Sequence, residues 1–152
     1  MQREQIILVQ DTWQHVLPIA EVAADLFYER LFEIDPNVKA LFENADLSAQ
    51  KGKLLQMLAA TIADLHAPAT LFRDLEELGH RHATYGVQPE HYDLVGKALL
   101  WTLEKGLADI WSIEVREAWA AAYGLIAQKM LKGAARAEMG DDYVQAYRNG
   151  LR

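Results

Sequence analysis

Three polar residues interrupt otherwise apolar helical stripes in this chain: Tyr28, Gln50 and His82. His82 closes the stripe Leu71, Leu75, Leu78, His82, whose steps of four, three and four put all of them on one helix face. An imidazole at the end of a core-facing stripe needs a hydrogen-bond partner or a metal, because an unpaired buried polar group costs about 1–3 kcal/mol. Just beyond it, Ala83-Thr84-Tyr85-Gly86-Val87 leads to Pro89, so the ring sits near a helix end. That placement suits an axial ligand to an iron porphyrin. Each residue also has a plainer account. His82 could bond a backbone carbonyl, Tyr28 could be a core tyrosine with its hydroxyl at the edge, and Gln50 could face solvent or help cap its helix. The chemical reading needs all three, from separate helices, converging with Phe42 on one cavity.

Helices must do the positioning, since a period near 3.6 runs through almost the whole chain and no alternating strand is evident. The pattern predicts a first helix over about Arg3 to Leu17, ended by Pro18, and a second over Ile19 to Ile34. Asp35-Pro36 opens a short helical turn to Leu41-Phe42. Ser48 is the expected cap of a helix reaching about Leu65, and Pro68 starts the one that carries His82. Two long helices follow, about Pro89 to Leu107 and Ser112 to Leu131. Gly133 and Gly140 then bracket a charged tail. Residues 1–133 are therefore expected to form one domain, with 134–152 a partly helical or mobile extension. The order of these helices, with one very short one after the second, suits two crossing layers around a flat prosthetic group.

The 152 residues suffice for one domain with a substantial core, and 51% of them are hydrophobic. A net charge of -7 and a pI near 5.2, without any cluster of Lys or Arg, argue against nucleic-acid binding. The absence of cysteine excludes disulfides, thiolate metal sites and thiol catalysis. Met1-Gln2-Arg3-Glu4-Gln5 runs into an amphipathic segment broken by Asp11 and His15, so neither a secretory leader nor a membrane insertion is expected. A cytoplasmic location follows as the expectation, while the sequence sets no oligomeric state. No phosphate loop, G-x-S-x-G or H-E-x-x-H is present. The neighbouring carboxylates Glu76-Glu77 and Asp141-Asp142 diverge on a helix and read as solvated faces. His15, His66, His80 and His91 lie off the pocket-facing stripes, and Lys53 and Arg81 read first as solvated charges.

A set of local motifs adds to this reading: Leu26-Phe27-Tyr28, Leu31-Phe32 before Asp35-Pro36, Leu41-Phe42, and Gln50 four residues before Leu54. It continues with His82-Ala83-Thr84-Tyr85-Gly86-Val87, His91-Tyr92-Asp93-Leu94-Val95-Gly96 and Ala118-Trp119-Ala120-Ala121-Ala122-Tyr123-Gly124. Over residues 1 to about 133 the chain resembles the globins, in particular the bacterial single-domain globins related to the globin part of flavohaemoglobins. The resemblance implies an all-α, three-over-three helical sandwich enclosing haem b (iron protoporphyrin IX). His82 would be the proximal ligand, through neutral Nε2, with Nδ1–H left for a second acceptor. Phe42 would pack on the porphyrin face, Leu54 would wall the distal side, and Leu78, Val87, Tyr92 and Val95 would line the cofactor. Tyr28 would donate to a bound diatomic ligand, and Gln50 would donate as well or hold the tyrosine in place. Besides O2, the implied ligands are NO and CO.

One departure bears on function. In flavohaemoglobins a glutamate on the last helix joins the proximal histidine and tyrosine; counting from Tyr123, that position here is near Ala134, and the nearest acid is Glu138. The chain also ends at Arg152 without a flavin or nicotinamide domain, so turnover would need a separate reductase. Two functions from different classes are implied: reversible O2 binding for storage, delivery or sensing, and NO dioxygenation to nitrate. A cofactor-free helical interaction module is the third reading.

Overall fold

Six α-helices and three short 3-10 segments make up the computed structural model, which describes residues 1–146, with side chains to Arg136 apart from Pro68. Helix α1 spans Arg3–Val16, α2 Ala20–Ile34, α3 Leu47–Ala63, α4 Pro68–Thr84, α5 Pro89–Leu107 and α6 Ile113–Ala146. The 3-10 segments are Leu17–Ile19, Pro36–Phe42 and Ala108–Ile110. No strand occurs among the described residues, in keeping with the uninterrupted helical period of the sequence.

Local chemistry explains most boundaries. Pro18 tightens the chain into the 3-10 turn between α1 and α2 instead of opening a loop. The Asp35 carboxylate accepts from the Asn37 amide at 3.0 Å and starts the Pro36–Phe42 segment as expected. Helix α3 begins earlier than the sequence suggests: Asp46, not Ser48, is the cap, accepting from the amides of Ser48 and Ala49 at 3.0 and 3.3 Å. A carboxylate outcompetes a hydroxyl there because it carries full charge at the positive helix end. His91 has a structural job at the start of α5, where its Nδ1 accepts from the Gln88 amide at 2.8 Å. The Ser112 hydroxyl accepts from the Val115 amide at 3.2 Å at the start of α6.

The apolar stripes meet in one core. Val9, Trp13 and Val16 of α1 pack with Ala118, Trp119, Ala122 and Ile126 of α6, and Trp13 and Trp119 tilt together at 6.3 Å. The Trp119 indole N–H donates to the Thr12 hydroxyl at 2.8 Å, and that hydroxyl donates in turn to the Leu8 carbonyl at 2.6 Å. Helix α6 also packs on α4 and α5, while α2 packs on α5 and α3. These crossings give a layered all-α arrangement.

The last helix differs from expectation. It passes Gly133 without a break and continues to Ala146, where the sequence suggested an end near Leu131. Glycine weakens a helix by roughly 1 kcal/mol relative to alanine but does not stop it when packing favours continuation. Residues 147–152, the end of the charged tail, lie outside the described residues, as do the side chains of Glu138, Asp141 and Asp142.

Candidate functional site

Helix α4 changes character along its apolar face. Leu71 and Leu75 are fully buried, whereas Leu78 and His82, further along the same stripe, are only half-buried. The helix then ends in a double backbone closure: the Val87 amide bonds the His82 carbonyl at 3.1 Å and the Gly86 amide bonds the Ala83 carbonyl at 3.2 Å. Gly86 makes this possible at φ +94°, in the left-handed region that favours glycine. Val87 is thereby folded back beside the ring-bearing turn.

The plainer reading of His82 holds for one ring nitrogen. Its Nδ1 lies 2.8 Å from the Leu78 carbonyl, and since a carbonyl can only accept, Nδ1 carries the proton and donates. Nε2 is left with its lone pair for a metal. Burial pushes the imidazole below its ordinary value of 6.5; the Leu78 bond opposes this and the Arg81 charge adds to it. The net direction favours the neutral ring that ligation requires. Among the described residues no group of three or more His, Asp or Glu could hold a bare metal ion. A lone imidazole suits a metal whose other ligands come from a macrocycle.

Tyr28 comes from the middle of α2 and is buried, with 6% of its surface exposed. Three phenylalanines hold its ring: Phe27 edge-on at 5.1 Å, Phe42 edge-on at 5.6 Å and Phe32 tilted at 6.1 Å. Phe32 and Phe42 also meet at 5.6 Å. The 3-10 segment thus brings Phe42 to Tyr28, as the converging reading requires, while the clamping role of Phe32 was not evident from its place on an ordinary inner stripe. The Tyr28 hydroxyl has no hydrogen-bond partner among the described residues. Burial pushes its pKa to about 12, so it keeps its proton and remains a donor at neutral pH.

Gln50 is half-buried in the first turn of α3, and no hydrogen bond joins it to Tyr28 among the described residues. Next to it, Lys51 Nζ reaches the Asp25 carboxylate at 2.7 Å and ties α3 to α2 near Tyr28. Leu54, Val87 and Val95 are half-buried like Leu78, and Tyr92 is buried near the start of α5. The Tyr92 hydroxyl is buried without a hydrogen-bond partner among the described residues. Its backbone carbonyl, by contrast, accepts from the Tyr123 hydroxyl at 2.6 Å, which clasps α5 to α6.

Glu76 corrects the reading of adjacent carboxylates as solvated faces. Its side chain is only 12% exposed and pairs with Lys132 at 3.3 Å and Arg136 at 2.8 Å, both on α6. Two surface hollows have neither Tyr28, Gln50 nor His82 in their lining. One, of about 490 Å³, is lined by Met1, Gln5 and Leu125 among others; the second, of about 260 Å³, is lined by Glu76, His80 and Arg136 among others.

A family model described as Globin matches residues 25–130. The flavohemoprotein of Vibrio cholerae is 33% identical over 132 residues, covering 83% of this chain and 32% of that protein. The flavohemoprotein of Rhizobium meliloti is 36% identical over 103 residues, covering 66% of this chain and 26% of its own length. For that of Bacillus subtilis the figures are 27% over 133 residues, 86% and 33%. The chain thus spans about a third or less of the length of these relatives. Among solved structures, a hexacoordinated heme protein from an anhydrobiotic tardigrade superposes with a TM-score of 0.79 at 17% identity, covering 89% of this chain and 96% of that one. At that identity the likeness speaks for the fold alone.

Proposed function

The chain belongs to the globin family, and from that premise we propose that it is a haem b globin that takes up O2 reversibly. The observation that carries this reading is the state of His82: neutral, with Nδ1–H held by the Leu78 carbonyl and Nε2 left free. The residues present fit an iron porphyrin. They combine one imidazole donor, a half-buried apolar lining from Phe42, Leu54, Leu78, Val87 and Val95, and a protonated phenol at Tyr28. Haem, when bound, supplies a ferrous iron able to bind diatomic gases.

The chain's own residues do the rest. Leu78 orients the His82 ring through its carbonyl, so the ligand does not rotate out of reach. Tyr28 donates its proton towards negative charge on the gas, held at a defined angle by Phe27, Phe32 and Phe42. Gln50 adds a second donor at the mouth of α3. Leu54 would limit the access of water on the side of Tyr28, while Val87, folded back beside the His82 turn, and Val95 would give the cofactor an apolar lining.

NO dioxygenation with a separate reductase is the alternative, favoured by the likeness to flavohemoproteins. Binding is preferred because the acceptor for His82 is a neutral carbonyl and not a carboxylate, which raises the electron donation of the ring only modestly. The position of the flavohaemoglobin glutamate falls near Ala134 by count, and the nearest acid in the sequence is Glu138. An absorption spectrum of the purified protein, or of protein reconstituted with haemin, tests the cofactor: a colourless product ends the reading. Sustained NO consumption over many turnovers with a cellular reductase, faster than autoxidation, would transfer the assignment to the dioxygenase.

A further inference from the structure

Helices α4 and α6 touch backbone to backbone one turn before His82. A Cβ built on Gly79 would run into the carbonyl of Met130, coming within 2.5 Å of its carbon, and one built on Gly133 would come within 2.6 Å of the Glu76 carbonyl carbon. The two contacts are reciprocal. Residues 76 and 79 of α4 face residues 130 and 133 of α6, each glycine lying against the carbonyl three residues before the other. The Glu76 side chain then grips Lys132 and Arg136, one residue before and three residues after Gly133. Leu78, whose carbonyl orients the His82 ring, lies inside this stretch.

We propose that Gly79 and Gly133 are positioning residues for the proximal ligand: their backbone contact, held by Glu76, sets how deeply α4 lies in the fold and hence where the His82 ring is presented. This rests on the reading of His82 as the iron ligand. An unstrained carbon pair sits at about 3.5–4.0 Å, so a methyl group at either glycine would lift α4 from α6 by about 1 Å. Backbone on both sides leaves no flexible side chain to absorb that displacement. The shift falls within a turn of the imidazole, and a rigid helix carries it there. Two glycines in long helices are otherwise a net cost to stability, which the close approach explains.

The test uses the full chain reconstituted with haemin and reduced. The iron–histidine stretching band is read by resonance Raman, and haem loss by transfer to an acceptor apoprotein. Gly79→Ala and Gly133→Ala are expected to move the band and to speed haem loss about 10- to 100-fold, the range for disturbing groups that orient a metal ligand. Gly52→Ala and Gly124→Ala, where an added methyl meets nothing within 4 Å, should leave both readouts at wild-type values. A band unmoved in the two contact variants overturns the proposal. If those variants fail to fold by circular dichroism, Glu76→Gln, which loosens the grip on Lys132 and Arg136 without adding an atom, is the deciding variant. Its band is expected to move, and an unmoved one overturns the proposal. His82→Ala separates the two levels. A band lost in His82→Ala but unmoved by the glycine variants defeats only the positioning role, whereas a band retained in His82→Ala defeats the proximal assignment and the positioning role together.

Discussion

Replacing Tyr28 by phenylalanine removes one oxygen and leaves the ring that Phe27, Phe32 and Phe42 hold at 5.1–6.1 Å. Packing is therefore retained, and the haem-free protein should lose little stability. The hydroxyl has no partner among the described residues and stays protonated, with a pKa pushed up to about 12, so its donor capacity is uncommitted until a gas is bound. A hydrogen bond to a charge-bearing acceptor contributes about 1.5–3 kcal/mol. At about 1.4 kcal/mol per factor of ten, its loss should speed O2 release about 10- to 150-fold. Stopped-flow displacement of O2 by CO from the reduced, reconstituted protein measures the rate directly. CO gathers less negative charge, so its own release should change much less than that of O2. A Tyr28→Phe rate within about a factor of two of wild type, with the spectrum unchanged, would refute the donor role.

Three further outcomes follow from contacts away from Tyr28. Thr12→Val leaves the buried Trp119 indole N–H without its 2.8 Å acceptor and should lower stability by about 1–3 kcal/mol in urea unfolding; a loss under about 0.5 kcal/mol would contradict this. Tyr92→Phe removes a buried hydroxyl that has no partner among the described residues, so the haem-free protein should hold its stability or gain about 1 kcal/mol, and a clear loss would show that the hydroxyl is bonded. Burial works to raise the Glu76 carboxyl, but its bond to Lys132 and the charges of Arg136, Lys132 and Lys129 outweigh this and hold it below its ordinary 4.5. The folded state then binds fewer protons than the unfolded one, so this contribution is present above pH 4.5 and fades as pH falls through the lowered value. Acid unfolding of Glu76→Gln should lack that component, and an unaltered acid profile would show that the pair does not contribute.

Most helix ends and the face that carries His82 were legible because they are written in local patterns. Proline at 18, 36, 68 and 89 and the aspartate at 35 mark helix ends by what they do to neighbouring backbone. Leu71, Leu75, Leu78 and His82 share a face through helical period alone, and the structure keeps them there. Tyr28 was identifiable as a polar break in the stripe of α2, and Phe32 lies one turn further along the same helix, whereas Phe42 reaches Tyr28 only after the 3-10 segment has turned the chain. Asp46 escaped notice because Ser48 is an equally good cap by type, and only the competition between a charged and a neutral acceptor decides between them. Gly133 looked like a helix end because glycine usually marks one.

By itself the sequence determined that the chain is helical, where the helices opened by proline begin and which stripe carries the imidazole, because a period of 3.6 and the backbone limits of proline act within a few residues. Tertiary structure alone decided that Gly133 meets Glu76, that Glu76 is paired and not solvated, and that the Tyr92 hydroxyl is buried without a described partner. Those outcomes depend on which helices cross and how closely their backbones approach. Residues distant in the chain become neighbours there through packing, and no local pattern carries that information.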